Sequence, residues 1–406
     1  MSTPGHDALD WRLLSPPRLR TLDDDGERHA SWLELFFDVV FVVAIAQLAH
    51  ELVLDHSLRG FAVFAALFLP VFIAWQGFTI YADRFDTDDA PFRLAIFAAM
   101  LAIAALAVQV PDVAHGESTG FVVAYVVLRS LMVALYLRSY RHVPRARPLI
   151  ARYAGGYSLG IALWLASLAF AAPGRYVLWG VALAWEYSLP VLLRRFHAAI
   201  PISTSHVPER FALFTIIVLG ETIVAVALGT AGSDWALEAA VAGALGFLAA
   251  AALWWIYFGT GAGMEMRPTV RAILVFTHFH IPVLAALTAV SAGVALAIEQ
   301  APGHLDEGAR WTLCGGAAAY LTCLTVAQRA LVRGVSQRKM VARGAAMLAL
   351  AVLALAGTEL RTVAFVALTT AILLALVAFE LWAYRQAQAA QRGAVSARET
   401  PASASP

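Results

Sequence analysis

Twelve apolar windows of about 18 to 22 residues recur along this chain, centred near residues 43, 71, 101, 129, 160, 184, 218, 247, 283, 320, 349 and 373. Runs of that length can satisfy their backbone polar groups in lipid only as helices, because barrel strands are shorter and alternate. The expected fold is therefore all-α, a polytopic transmembrane helical bundle of about twelve spans. Composition agrees: of 406 residues 60% are hydrophobic and 14% charged, with a mean hydropathy of +0.71, whereas soluble chains carry about a quarter charged residues. A net charge of +1 gives no reason to expect nucleic acid as a partner. Residues 1–31 are polar, mix both signs and hold no apolar core ahead of a small-residue site, so no cleaved leader is expected.

Basic residues fix an expected orientation. With the N-terminus in the cytosol, 24 Lys and Arg fall in inside segments and four (Arg59, Arg175, Arg310, Arg361) in outside loops, with Arg129 inside a span. That bias supports an even number of spans and two cytosolic termini. The spans also read as two sixes. A shift of 178 residues lays Leu35-Phe36 on Leu213-Phe214 and Arg93 on Arg271, and a shift of about 190 lays the basic loop 138–152 on 329–343. The expected organisation is a tail at 1–31, six-span pseudo-repeats at 32–200 and 201–386 in parallel topology, and a disordered cytosolic tail at 387–406.

Polar residues inside the spans carry the functional signal, since intramembrane charges are costly and concentrate at sites. Span 1, SWLELFFDVVFVVAIAQLAHELV, places Glu34 and Asp38 on one face and Gln47 and His50 on the opposite one. Both faces are therefore expected to meet protein or water. Interfacial pairing with arginine or helix capping is the plainer alternative for the two carboxylates. Span 7, HVPERFALFTIIVLGETIVAVAL, puts Glu221 roughly 18 Å along its helix beside Gly220, which could admit another backbone. His278 and His280 of span 9 lie at a similar depth, and Pro282 frees a nearby carbonyl. The acidic run with Asp83, Asp86, Asp88 and Asp89 fits no EF-hand spacing and reads as capping of span 3 plus pairing with Arg84 and Arg93. WWIYF at 254–258 suits an interfacial aromatic belt. Cys314 and Cys323 face apart on a helix, which argues against a disulfide, and no metal, phosphate-loop or nucleophile motif stands out, so neither cofactor nor catalytic residue is expected.

Four segments in order, ELFFDVVFVVAIAQLAH (34–50), YADRFDTDDAPFR (81–93), HVPERFALFTIIVLGETI (206–223) and HIPVL (280–284), resemble the bacterial low temperature requirement A (LtrA) family. The resemblance marks Glu34, Phe37, Asp38, Asp86, Thr87, Asp88, His206, Glu209, Arg210, Gly220, Glu221 and His280. It implies a multi-pass inner-membrane protein of a family first associated with growth in the cold. A fainter similarity is to potassium channels of six-helix repeats, whose Arg-x-x-x-Phe-Ser-Asp opening is divided here between Arg210-x-x-x-Phe214-Thr215 and Phe37-Asp38.

The expected function is movement of a small ion or solute. The expected pathway residues are Glu34, Asp38, Gln47, His50, His206, Glu209, Arg210, Glu221 and His280, with Asp86 and Asp88 in a cytosolic acidic loop. Glu221 and His280 would form a protonatable mid-membrane site; Glu34, Asp38, Glu209 and Arg210 a cytosolic gate. Lipid and the small solute are the expected partners, with a homodimer left open. The rival reading is a non-transporting stress-response accessory protein or an intramembrane enzyme, which would gather its polar groups at one depth.

Overall fold

The computed structural model describes residues 15–19, 29–197, 200, 202–203, 205–261, 269–331 and 336–399. Helices dominate them. In chain order the long helices are α1 Trp32–Leu54, α2 Leu58–Arg84, α3 Ala90–Val108, α4 Thr119–His142, α5 Arg147–Ser167 and α6 Gly174–Leu192. They continue as α7 His206–Gly232, α8 Leu237–Gly261, α9 Val270–Glu299, α10 Gly316–Leu331, α11 Gln337–Ala356 and α12 Thr362–Glu399. Each apolar window centre falls inside one of these. Among the described residues nine helices are long and apolar enough to cross a membrane. The other three are α5 and α6, diluted by Gly, Ser, Tyr and Trp, and α10, whose 16 residues continue a π-helical turn at Trp311–Gly315.

Local chemistry sets the helix starts. Ser31 caps α1 in a full capping box with Glu34, Ser57 caps α2, and Asp89 caps α3 with Pro91 in its first turn. A two-residue strand β1, Arg18–Leu19, pairs antiparallel with β2, Phe85–Asp86.

The chain divides into two compact units. The first comprises residues 1–221 and 266–281, the second 222–265 and 282–406, so the divisions at 221/222 and 281/282 run through α7 and α9. This reflects contact density; the 32–200 and 201–386 boundary expected from internal similarity is a separate property. In the first unit α1 packs on α2 and α3, α3 on α4, α4 on α5 and α5 on α6. Its core is aromatic: Trp75 stacks on Phe214 at 4.2 Å and meets Phe211 edge-on at 4.8 Å, while Tyr136 stacks on Tyr153 at 5.5 Å. In the second unit α8 packs on α12, α10 on α11 and α11 on α12. Gly293 there lets α9 touch backbone, since a Cβ at that position would lie 2.6 Å from Leu313 Cα.

One expectation is corrected. α12 continues as helix to Glu399, through residues expected in a disordered tail, because an Ala- and Gln-rich run favours helix; residues 400–406, like 1–14 and Arg267, lie outside the described residues. Helix α1 buries one face. Asp38, Phe41 and Ile45 are fully buried, whereas Val39 and Val43 are 53% and 49% exposed and His50 is exposed. His50 and Glu51 stand within the last two turns of α1, where a polar head can reach an interface without a protein partner.

Candidate functional site

Helix α1 carries two carboxylates one turn apart, Glu34 and Asp38, and α7 carries two basic side chains at the same spacing, His206 and Arg210. Residues four apart stack on one helix face, so two such pairs can meet rung to rung. They do. Arg210 grips Asp38 with two nitrogens, Nη2 to Oδ1 at 2.6 Å and Nε to Oδ2 at 3.1 Å, and its Nη1 lies 2.9 Å from Glu34 Oε1. His206 Nε2 lies 3.4 Å from the same Glu34 oxygen. The next turn of α7 brings Phe214 onto Trp75, whose indole N–H donates to Asp38 Oδ1 at 2.7 Å.

The end of α2 closes the cluster. Asp83 Oδ1 lies 3.0 Å from His206 Nδ1, and Asp83 Oδ2 accepts the Ser203 backbone N–H at 3.0 Å. Glu34 Oε2 caps its own helix by accepting the Ser31 N–H at 2.8 Å. Asp38, Asp83, His206 and Arg210 are all 2% exposed or less, and Glu34 is 6% exposed.

The geometry has a chemical consequence. An ionised carboxylate only accepts, and a neutral imidazole has one donor nitrogen. His206 sits between two carboxylates, so both contacts are attractive only when the Asp83–His206–Glu34 triad holds one proton more than a neutral imidazole and two carboxylates would. With His206 as imidazolium, these five side chains alone, three carboxylates and two cations, sum to a charge of −1. Without that proton they sum to −2. Burial in low dielectric makes this difference large.

The remaining expected residues are placed as follows. Glu209 is not in the cluster; it faces away, a third exposed, with His29 Nδ1 at 3.3 Å. Position 209 lies about 100° round the helix from 210. Glu221 makes no hydrogen bond or ion pair among the described residues, and nothing lies within 4 Å of a Cβ built on Gly220. The expected Glu221–His280 pair is corrected: His280 Nδ1 contacts the Phe276 carbonyl oxygen at 2.7 Å and its ring packs on Phe276 and Phe211. Equal depth along two helices does not give equal direction, and the carbonyl one turn back is the nearer partner. His278 turns to the Leu274 carbonyl and to Tyr187. Gln47 is half-buried.

In the acidic loop Asp88 pairs with Arg93 at 2.7 Å as expected, and Asp89 caps α3 and holds Arg138 at 2.5 Å. Asp86 contributes its backbone to the ribbon opposite Arg18. Asp83, expected as part of the capping run, belongs to the buried cluster.

Sequence reasoning missed two further buried pairs. In the first unit Arg129 Nη2 lies 2.5 Å from Glu186 Oε2, which also accepts the Tyr125 hydroxyl at 2.7 Å. In the second, Arg343 Nε reaches Glu380 Oε1 at 2.6 Å and its Nη1 reaches Gln328 Oε1 at 2.7 Å. The signal was available, because a charge inside a span demands an opposite charge inside another. His197 was also missed. Arg84 Nη2 lies 3.3 Å from His197 Nδ1 and Tyr153 Oη lies 2.9 Å from Nε2. A guanidinium only donates, so Nδ1 accepts and Nε2–H donates to Tyr153. Burial first, and the Arg84 charge second, push the His197 pKa down to about 3, so its imidazole is neutral.

The apolar helices and buried ion pairs define a polytopic helical protein of the membrane. The profile of the bacterial low temperature requirement A protein (LtrA) matches residues 29–378. The chain belongs to that family. It is also similar to an uncharacterized protein of Rhizobium meliloti (strain 1021), 31% identical over 295 residues, which are 67% of this chain and 70% of the relative.

Proposed function

We propose that this chain is a proton-linked transporter or channel for a small ion or solute in the bacterial inner (plasma) membrane. It spans the bilayer twelve times as two six-helix repeats, with both termini cytosolic, and performs no enzymatic chemistry. The observation that carries the reading is His206 held between Asp83 and Glu34, with Arg210 and Asp38 one turn further on. A purely structural buried charge is neutralised by one partner, as Glu380 does for Arg343. Here one histidine stands between two carboxylates, and one proton changes how firmly α1, α2 and the start of α7 are held together. That is the element a proton-driven cycle requires.

The twelve-span count is supported by helices at all twelve windows, and the orientation by the 24 to 4 distribution of basic residues. The second protonatable group of the reading is Glu221 alone, without His280.

The test is flux of alkali cations, halides, amines and small carboxylates into proteoliposomes, with and without a pH gradient. Accumulation of one class that responds to the gradient and is lost in Asp38→Asn supports the proposal. Absence of flux for every class, from protein shown to be folded, would leave the chain a non-transporting membrane accessory protein.

A further inference from the structure

A small cavity of about 40 Å³ lies within the first unit, lined by Arg84, Gln76, Tyr136, Tyr153, His197 and Thr277 among others. Arg84 is 1% exposed, and its Nε and Nη1 make no hydrogen bond of acceptable geometry. The phenols of Tyr136 and Tyr153 stand beside the guanidinium, and the Tyr153 ring centroid is 5.6 Å from Cζ. A buried guanidinium with two unsatisfied N–H-bearing nitrogens costs several kcal/mol unless an acceptor reaches it.

No carboxylate among the described residues does. Asp83 is committed to His206 and the Ser203 N–H, and His197 is a neutral acceptor that takes only Nη2. Glu186 also lines the cavity, but its charge is cancelled by Arg129 at 2.5 Å, and its free Oε1 is tucked against Gly160, where a Cβ would come within 2.5 Å. The guanidinium is thus buried with phenol oxygens beside it and two nitrogens facing no carboxylate among the described residues, and Gln76 and the phenols can supply further donors. A cation would meet that charge directly.

We propose that this cavity is a binding site for a small monovalent anion of halide or formate size, held by Arg84. The guanidinium supplies charge-assisted hydrogen bonds from Nε and Nη1, and the surrounding phenol and amide groups complete the shell. The cavity is too small for a sugar acid or a phosphorylated metabolite. Binding there requires no transport, so the site stands whether or not the transport reading does.

The experiment is thermal unfolding of the purified protein in detergent, titrated with sodium bromide or sodium formate against sodium gluconate at constant ionic strength. The expected result is a saturable rise in Tm with bromide or formate that gluconate does not give. Arg84→Gln abolishes the rise, and Arg84→Lys, which keeps the charge but loses the Nε donor, weakens apparent affinity about tenfold, the worth of one charge-assisted bond. No saturable rise in the wild type, or an equal rise in Arg84→Gln, overturns the proposal. Should Arg84→Gln fail to fold, wild-type crystals grown in bromide decide: an anomalous peak within hydrogen-bond distance of Arg84 supports the site, and its absence there refutes it.

Discussion

Arg210 and Glu209 are neighbours in sequence and opposites in energetics. Arg210 satisfies two buried carboxylates, and removing one member of a buried ion pair costs about 3–5 kcal/mol because the partner stays charged and dry. Glu209 meets only an exposed histidine, a contact worth little. Arg210→Gln is therefore expected to lower detergent-solubilised thermal stability sharply, and Glu209→Gln to change it by no more than about 0.5 kcal/mol. Equal effects would dissolve the cluster described above. His197 gives a pH signature. Its folded pKa of about 3 lies below the ordinary 6.5, so the unfolded chain takes up a proton first as pH falls. Stability is then lost as pH drops from about 6.5, about 2 kcal/mol by pH 5. His197→Gln should unfold with a flatter pH dependence over that window, whatever its baseline; an unchanged slope would show that the imidazole is not buried neutral. These residues also show what was legible. Glu34, Asp38, His206 and Arg210 stood out as polar groups in apolar runs, but their pairing joins positions 172 residues apart and only the packing reveals it. Asp83 was hidden because an acid before a helix looks like a cap.

At the scale of elements, helix positions followed directly from hydropathy, since a run that must hide its backbone from lipid has one solution. Helix direction did not follow. Depth along an axis is set by counting residues; azimuth depends on which small residues let a neighbour in, and this is why Glu221 and His280 share a level but not a contact. Gly293 is such a small residue. Its position against the Leu313 backbone leaves no room for a side chain, so Gly293→Val should cost about 1–3 kcal/mol through forced separation of α9 from the chain at Leu313. Gly155, with nothing within 4 Å of a Cβ, is the control; Gly155→Ala should not weaken the fold, given the better helix propensity of Ala. Comparable losses for both, read as unfolding midpoints, would contradict the packing of the second unit. Glu221→Gln belongs here too. Because Glu221 has no partner among the described residues, the variant should express and insert at normal levels while losing the pH dependence of transport. Normal pH dependence across the range of about pH 5 to 8, in which physiological switches titrate, would make Glu221 an ordinary polar residue.

For the whole molecule, the distribution of basic residues makes a plain demand. Reporter fusions at the 138–152 and 329–343 loops should both signal from the cytosol, and a periplasmic signal from either would break the twelve-span, two-repeat proposal. What composition and hydropathy could not supply is the reason for charges inside the spans. Glu186 and Arg129, or Glu380 and Arg343, explain themselves as neutral pairs that close a helix interface. The cluster on α1, α2 and α7 does not close in this way, because its charge depends on one proton shared by Asp83, His206 and Glu34. The most direct measurement is proton movement into proteoliposomes carrying an internal pH-sensitive dye, recorded under an imposed pH gradient for wild type and for folded His206→Gln, in which the side chain still hydrogen-bonds but no longer titrates. The account predicts proton entry with wild type and none above protein-free vesicles with His206→Gln. Entry at the wild-type rate with His206→Gln would contradict it.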